Sequence, residues 1–302
     1  MPYPVADLAG YLEGVWRAER RIEDRRTGQN GRFTGTVAFT RVPSADPAAP
    51  TGDGTGVVVL ESREEGELAL EGQEPRPVYR NHTWRVRGER AEVCFDDGRR
   101  FHSLSLASGA DTPSHWCEPD QYTGEFAAPG PAELEWTWSV SGPAKNLTLA
   151  TRLTRELPVI AVSAVQLTTA DGGLVLVRKR GTTAFMQPGG KPEPGETPLE
   201  AARRELAEEL GLDLPAEAFR FQTAWRGRPA NEAGFELYSE NFAAEVPAGT
   251  PYSPAAEIED LVVLSPAAQR QALDSGRVAG SDGQDHALAP LLRERILPDL
   301  LG

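Results

Sequence analysis

Three carboxylates crowd the end of one amphipathic segment: Glu205, Glu208 and Glu209. Pro198 follows Thr197, the pattern of a proline in a helix's first turn behind a side-chain cap, so the spacing predicts a helix over Pro198–Leu210. On such a helix Glu209 lies one turn beyond Glu205 and about 40° round it, with Glu208 about 60° to the other side. Like charges this close repel, and the nearby helix C-terminus adds an unfavourable dipole. A hard divalent cation relieves both effects, and oxygen donors select Mg²⁺ or Mn²⁺. Arg204 can hold a neighbouring carboxylate through a bidentate pair. Gly189, Gly190 and Gly195 let the preceding loop fold tightly beside the helix, bringing Glu196 toward the same place.

The elements around this helix follow from periodicity. Strand-like runs at 159–168, 174–180, 219–226, 235–244 and 258–264 alternate with the helix, and further helices are expected at 266–275 and about 286–300. Strands mixed with helices indicate an α/β-type domain from residue 156 to 302. Residues 1–155 read differently. Leu134, Trp136, Trp138 and Val140 alternate with polar residues, and similar runs occur at 31–41, 56–63, 67–71, 78–87, 91–95 and 147–154. Turn-rich stretches such as 43–56 and 128–131 punctuate them. Eight to ten short strands with little helical periodicity predict a barrel or sandwich. The fold class is therefore α+β in two domains, an all-β barrel or sandwich over 1–155 followed by an α/β-type domain over 156–302.

The helix and its loop carry a resemblance. From Gly190 through Glu196, Arg204, Glu205, Glu208 and Glu209 to Gly211 and Leu212, the segment matches the Nudix box, G-x5-E-x7-R-E-U-x-E-E-x-G-U, at every specified position. A chance match over the chain has odds of about one in a million. What the resemblance implies is an α/β/α sandwich over 156–302 that hydrolyses nucleoside diphosphates linked to a moiety X, such as a nucleoside triphosphate, ADP-ribose or a sugar nucleotide. It implies Glu205, Glu208 and Glu209, with Gly190, at a Mg²⁺ or Mn²⁺ site, Glu196 assisting, and Arg204 orienting a glutamate. For the general base it leaves Glu209 within the box, and Glu232 or Glu257 outside it. Arg178, Lys179, Arg180 and Lys191 are candidates for meeting phosphates. Trp225, Phe235 and Tyr238 could stack a base or pack the core. Pro229 lies near the position of a proline found in ADP-ribose-cleaving relatives, and carries little weight.

Gly14-Val-Trp16 opens the first strand with G-x-W, which resembles the start of lipocalin-like (calycin) barrels. With the strand count, that resemblance implies a small closed all-β barrel over 1–155, with an arginine from the last strand over the tryptophan and Arg152 and Arg155 suitably placed. The half also looks like a bacterial domain family of unknown function. Its segments 97–102, 115–122 and 142–145 suggest a pocket from Arg99 or Arg100, His102, His115, Asp120 and Lys145. A zinc site from His102, His115 and Cys117 lacks the usual structural spacing, and haem ligation by His102 or His115 is a further barrel use. Six glutamates over 61–74 read as a solvated hairpin.

Composition bounds the rest. The 302 residues carry a net charge of −14, which argues against a nucleic-acid polymer as partner but not against a small nucleotide. Two cysteines, Cys94 and Cys117, exclude a disulfide scaffold. No apolar run approaches the roughly 18 residues of a membrane span, and no basic leader opens the chain, so no membrane partner and a cytoplasmic location are expected. A homodimer is left open. Two other readings stand beside the hydrolase: a nucleotide-binding sensor with little turnover, and a ligand-binding barrel with an accessory Nudix domain.

Overall fold

The computed structural model describes residues 2–42 and 56–302 and falls into two compact units, 1–158 and 159–302. The turn-rich stretch 43–55 lies outside the described residues.

In the first unit, a short helix α1 (Leu8–Leu12) precedes eleven strands: β1 (Gly14–Asp24), β2 (Asn30–Val42), β3 (Val58–Leu70), β4 (Arg76–Arg87), β5 (Arg90–Phe95), β6 (Arg100–Ser105), β7 (Ala110–Asp111), β8 (Ser114–Cys117), β9 (Asp120–Gly130), β10 (Glu133–Ser141) and β11 (Asn146–Thr154). They form one antiparallel sheet in the order β6-β5-β4-β3-β2-β1-β11-β10-β9-β7, with β8 also on β9. The sheet curls into a nearly closed barrel in which β6 approaches β7 and β8 without a ladder. Inward positions alternate along each strand, as with Leu60, Ser62 and Glu64 on β3. The sequence suggests a break between 63 and 67, yet β3 runs unbroken. Gly66 sits opposite Gly35, and ladders to β2 and β4 on both sides hold the glycine extended.

The G-x-W expectation is met. The Arg155 guanidinium lies 3.8 Å over the Trp16 ring and donates to the carbonyls of Tyr11 and Glu13 at 2.9 and 2.8 Å. Gly14, at φ +104°, stands where a Cβ would press on that guanidinium.

In the second unit, strands β12 (Val159–Thr168), β13 (Leu174–Lys179), β14 (Ala184–Phe185) and β15 (Gly189–Gly190) precede helix α2 (Pro198–Leu210). There follow β16 (Arg220–Gly227), β17 (Glu236–Glu245), β18 (Ile258–Leu264), α3 (Pro266–Ser275), β19 (Arg277–Ala279), β20 (Asp285–Leu288) and α4 (Leu297–Leu301). The main sheet has the order β16-β17-β12-β13-β18, with β12 and β17 parallel and β15 also on β12. Strand β13 is buried on both faces: Val175 and Val177 pack with α2, Leu174 and Leu176 with α3 and the C-terminal helical turns. That is an α/β/α sandwich. The helix expected from about 286 begins later, because 285–288 is drawn into a ladder with β14 and β19; helical turns run from Leu292.

Candidate active site

Helix α2 starts where its sequence says it must. Thr197 accepts from the Glu200 backbone N–H while the Glu200 carboxylate accepts from Thr197 N, a reciprocal capping box, and Gly211 closes the helix at φ +70°. Its apolar face, Ala202, Leu206 and Leu210, is sunk in the core. That anchoring puts Glu205 and Glu209 under the loop that carries β15, both buried, with Glu209 at 0% exposure. Glu209 Oε2 accepts from Gly189 N at 2.9 Å. At Gly190 a Cβ would overlap the Glu205 carboxylate, so a larger residue there would push that carboxylate off its place.

A third carboxylate arrives from the loop before β18. Backbone bonds from Ala255 N to Glu209 O and from Arg180 N to Glu257 O, each 2.8 Å, pin that loop to α2 and β13. Oxygens of Glu205, Glu209 and Glu257 all lie within 4.8 Å of one another, and this is the one such group of His, Cys, Asp or Glu among the described residues. Lys179 stands among them, its Nζ 2.9 Å from Glu209 Oε1 and from Glu257 Oε1, and 3.2 Å from Gly189 O. Burial pushes the Glu209 carboxyl up to about 7, against the pull of Lys179. The ammonium, although itself partly desolvated, is held above its ordinary pKa by Glu209 and Glu257.

Arg204 ties the rest together. It forks onto Glu196 at 2.9 and 3.0 Å, reaches Glu205 at 2.9 Å and Glu208 at 3.0 Å, and donates to Lys191 O at 3.1 Å. Its hydrogen bonds hold Glu196 below the usual carboxylate range. Glu208 is 54% exposed and stands outside the close trio.

The other residues singled out by sequence scatter. Arg178 is buried against Glu259 at 2.6 Å and Asp260 at 3.8 Å. Arg180, Lys191 and Glu232 are exposed. Trp225 packs against the core on the α3 side, Tyr238 is buried beneath the Arg226 guanidinium at 4.3 Å, and Phe235 is exposed. Lys179 was legible only as one of several basic residues; its place in the carboxylate cluster follows from the β13–β18 ladder, which no local spacing reveals.

In the barrel, Arg99 pairs with Asp97 at 2.7 Å on an exposed turn, and Arg100 bonds Ser103 at 2.7 Å. Asp120 pairs with Lys145 at 2.7 Å. His102 and His115 flank Phe101, at ring distances of 4.8 and 5.1 Å, and only His102 faces the barrel cavity. Cys94 is buried, Cys117 exposed, and both are free thiols. The glutamate-rich run is corrected: Glu64 is not solvated but buried, because strand alternation turns it inward onto Arg20.

Comparison with known families agrees with the box. A NUDIX domain model matches residues 157–274. The second unit is a Nudix domain, the domain of the Nudix hydrolases. Residues 12–155 match DUF6314, a family of unknown function. No curated protein matches the chain. Solved structures similar to parts of it include the S-type phycobiliprotein lyase CPES from Guillardia theta, at 10% identity and TM-score 0.37, covering 49% of this chain and 90% of that one. They also include a NUDIX hydrolase from Nitrosomonas europaea at 26% identity and TM-score 0.31, covering 38% and 76%. A third is the E. coli dihydroneopterin triphosphate pyrophosphohydrolase, at 19% and 0.32, covering 38% and 88%. Among the described residues no helix of the Nudix unit or of the barrel is long and apolar enough to cross a membrane.

Proposed function

We propose that the Nudix domain is a Mg²⁺- or Mn²⁺-dependent pyrophosphohydrolase acting on a small nucleotide, a nucleoside diphosphate linked to a moiety X. The observation that carries this reading is the convergence of Glu205, Glu209 and Glu257 within 4.8 Å. The donors are all carboxylate oxygens, a set that suits a hard divalent cation and not a thiol- or imidazole-seeking metal. Glu205, Glu209 and Glu257 would hold the ion, with Glu208 at the rim and the backbone at Gly190 alongside. When bound, the cation supplies positive charge to screen the pyrophosphate oxygens and to activate water.

The chain's own groups do the remaining work. Arg204 fixes Glu205 and Glu196 by hydrogen bonds at 2.9 to 3.0 Å, making both arginine and Glu196 positioning residues. Glu209 within the box and Glu257 outside it, whose carboxylates meet in this cluster, are the general-base candidates for the attacking water. Lys191 and Arg180, exposed beside the box, remain open to substrate phosphates.

The test is Mg²⁺-dependent release of phosphate or pyrophosphate from a panel of nucleoside triphosphates, ADP-ribose, sugar nucleotides, dinucleotide cofactors and diadenosine polyphosphates. Turnover of one class, lost in Glu209→Gln and reduced in Glu208→Gln, is the expected result and names X. Nucleotide binding without turnover by any member would replace this reading with the sensor.

A further inference from the structure

The barrel encloses a cavity of about 100 Å³, unrelated in position to the residues that sequence reasoning assembled there, His102 excepted. Its walls are aromatic, with Trp84, Phe101, Phe126 and Trp138 among them, and its polar side is Arg20, Glu64 and Arg80. Arg20 is fully engaged: Nε donates to Thr151 Oγ1 at 2.7 Å, and Nη1 and Nη2 donate to the two oxygens of Glu64 at 2.9 and 2.5 Å. Arg80 joins the same carboxylate through Nη2 alone, at 3.1 and 3.3 Å. Two guanidinium groups thus share one carboxylate. Glu64, despite its burial, is held below the usual carboxylate range by both arginines, so it is ionised and the group carries one net positive charge.

Among the described residues, nothing else lining the cavity balances that charge. His82 and His102 are desolvated, with pKa values pushed down to about 4, and are neutral at physiological pH. Ser62 is engaged by the Trp84 indole N–H at 3.0 Å. Arg80 is 48% exposed at its side chain, and among the described residues no protein group pairs with its Nε or Nη1. A cation in aromatic surroundings, with donors in a planar fork and no second anion, is half of a charge-assisted pair.

We infer that the barrel is a binding site for a small aromatic monocarboxylate, its ring among Trp84, Phe101 and Trp138 and its carboxylate on Arg80. The space of about 100 Å³ is smaller than the roughly 150 Å³ apolar cavity that takes benzene, so one ring is the upper limit and it must project toward the half-exposed Arg80, where the carboxylate sits. His102 adds selectivity. Its Nδ1 donates to Ser103 O at 3.2 Å, which leaves Nε2 as an acceptor for a ring hydroxyl or N–H.

Calorimetry and tryptophan fluorescence on the full chain test this, with benzoate, 4-hydroxybenzoate and indole-3-carboxylate as probes and the matching primary amides as neutral controls. Saturable one-to-one binding of at least one acid, ten or more times tighter than its amide, is expected. Arg80→Gln should weaken the acid at least tenfold and leave the amide within threefold. Absence of saturable binding by every acid up to millimolar concentration would overturn the inference. So would equal affinity for acid and amide, or an Arg80→Gln chain that binds the acid unchanged. Should Arg80→Gln fail to fold, the ranking of acid against amide on the unaltered chain decides alone.

Discussion

Each unit buries a glutamate beside cations, and the two come out opposite. Glu64 in the barrel meets two guanidinium groups and is held ionised; Glu209 in the Nudix unit meets one ammonium, shared with Glu257, and burial drives its pKa up to about 7. The difference is one of local charge count. The barrel group has one cation too many for its carboxylate, whereas the Nudix cluster sets Glu196, Glu205, Glu208, Glu209 and Glu257 against only Lys179 and Arg204. Each imbalance names the ligand that would relieve it, an anion in the first and a cation in the second.

The largest effect separating the two is on stability. Arg20→Met removes the fully engaged cation and leaves Glu64 buried with only the rim arginine. Chemical denaturation, followed by the barrel tryptophans, should show a loss of about 3–5 kcal/mol. The Nudix unit answers differently, in rate rather than stability. Glu209→Gln should lower kcat/KM by about a thousandfold, or ~4 kcal/mol of barrier, while the chain remains folded by circular dichroism.

The next comparison is in pH. The folded pKa of His102, about 4, lies below the ordinary value of 6.5, so the unfolded chain takes up a proton first as pH falls. Barrel stability is therefore full above about pH 6.5 and declines toward pH 4, by roughly 1–3 kcal/mol from this residue. Denaturation midpoints at pH 7 and pH 5, in the native chain and in His102→Gln, measure it; the variant should show the shallower decline. The smallest change expected is at Glu208. Because that carboxylate stands at the rim, Glu208→Gln should raise the half-saturating Mg²⁺ concentration by about tenfold. A loss as large as that of Glu209→Gln would instead put Glu208 in the inner set.

How legible each site was depends on how its residues are strung. Helix α2, its cap at Thr197 and its stop at Gly211 follow from local rules. Glu205 and Glu209 fall together because four residues along a helix is one turn. Glu257 lies far beyond the box and Lys179 on the strand before it, and they meet its carboxylates together through the β13–β18 pairing, so the spacing could nominate them but not unite them. The barrel cavity was illegible for a different reason. Its polar members come from β1, β3 and β4, and Glu64 sits in a run of six glutamates that looks solvated. Strand parity alone, with Leu60, Ser62 and Glu64 on one face, carried the signal, and the polar residues in that face disguised it. Residues 285–288 illustrate a tertiary override, taken into a ladder where the sequence suggested helix.

The ammonium of Lys179 has one more consequence, for the supply of metal. A cluster of buried carboxylates normally makes folding wait for its ion, as small metal-dependent domains do. Here a tethered cation already sits 2.9 Å from both Glu209 and Glu257. Lys179 therefore offsets part of the repulsion between Glu209 and Glu257 that a divalent ion would otherwise have to offset on folding. Under the proposed metal dependence, loss of the ion would stop turnover and leave the fold standing.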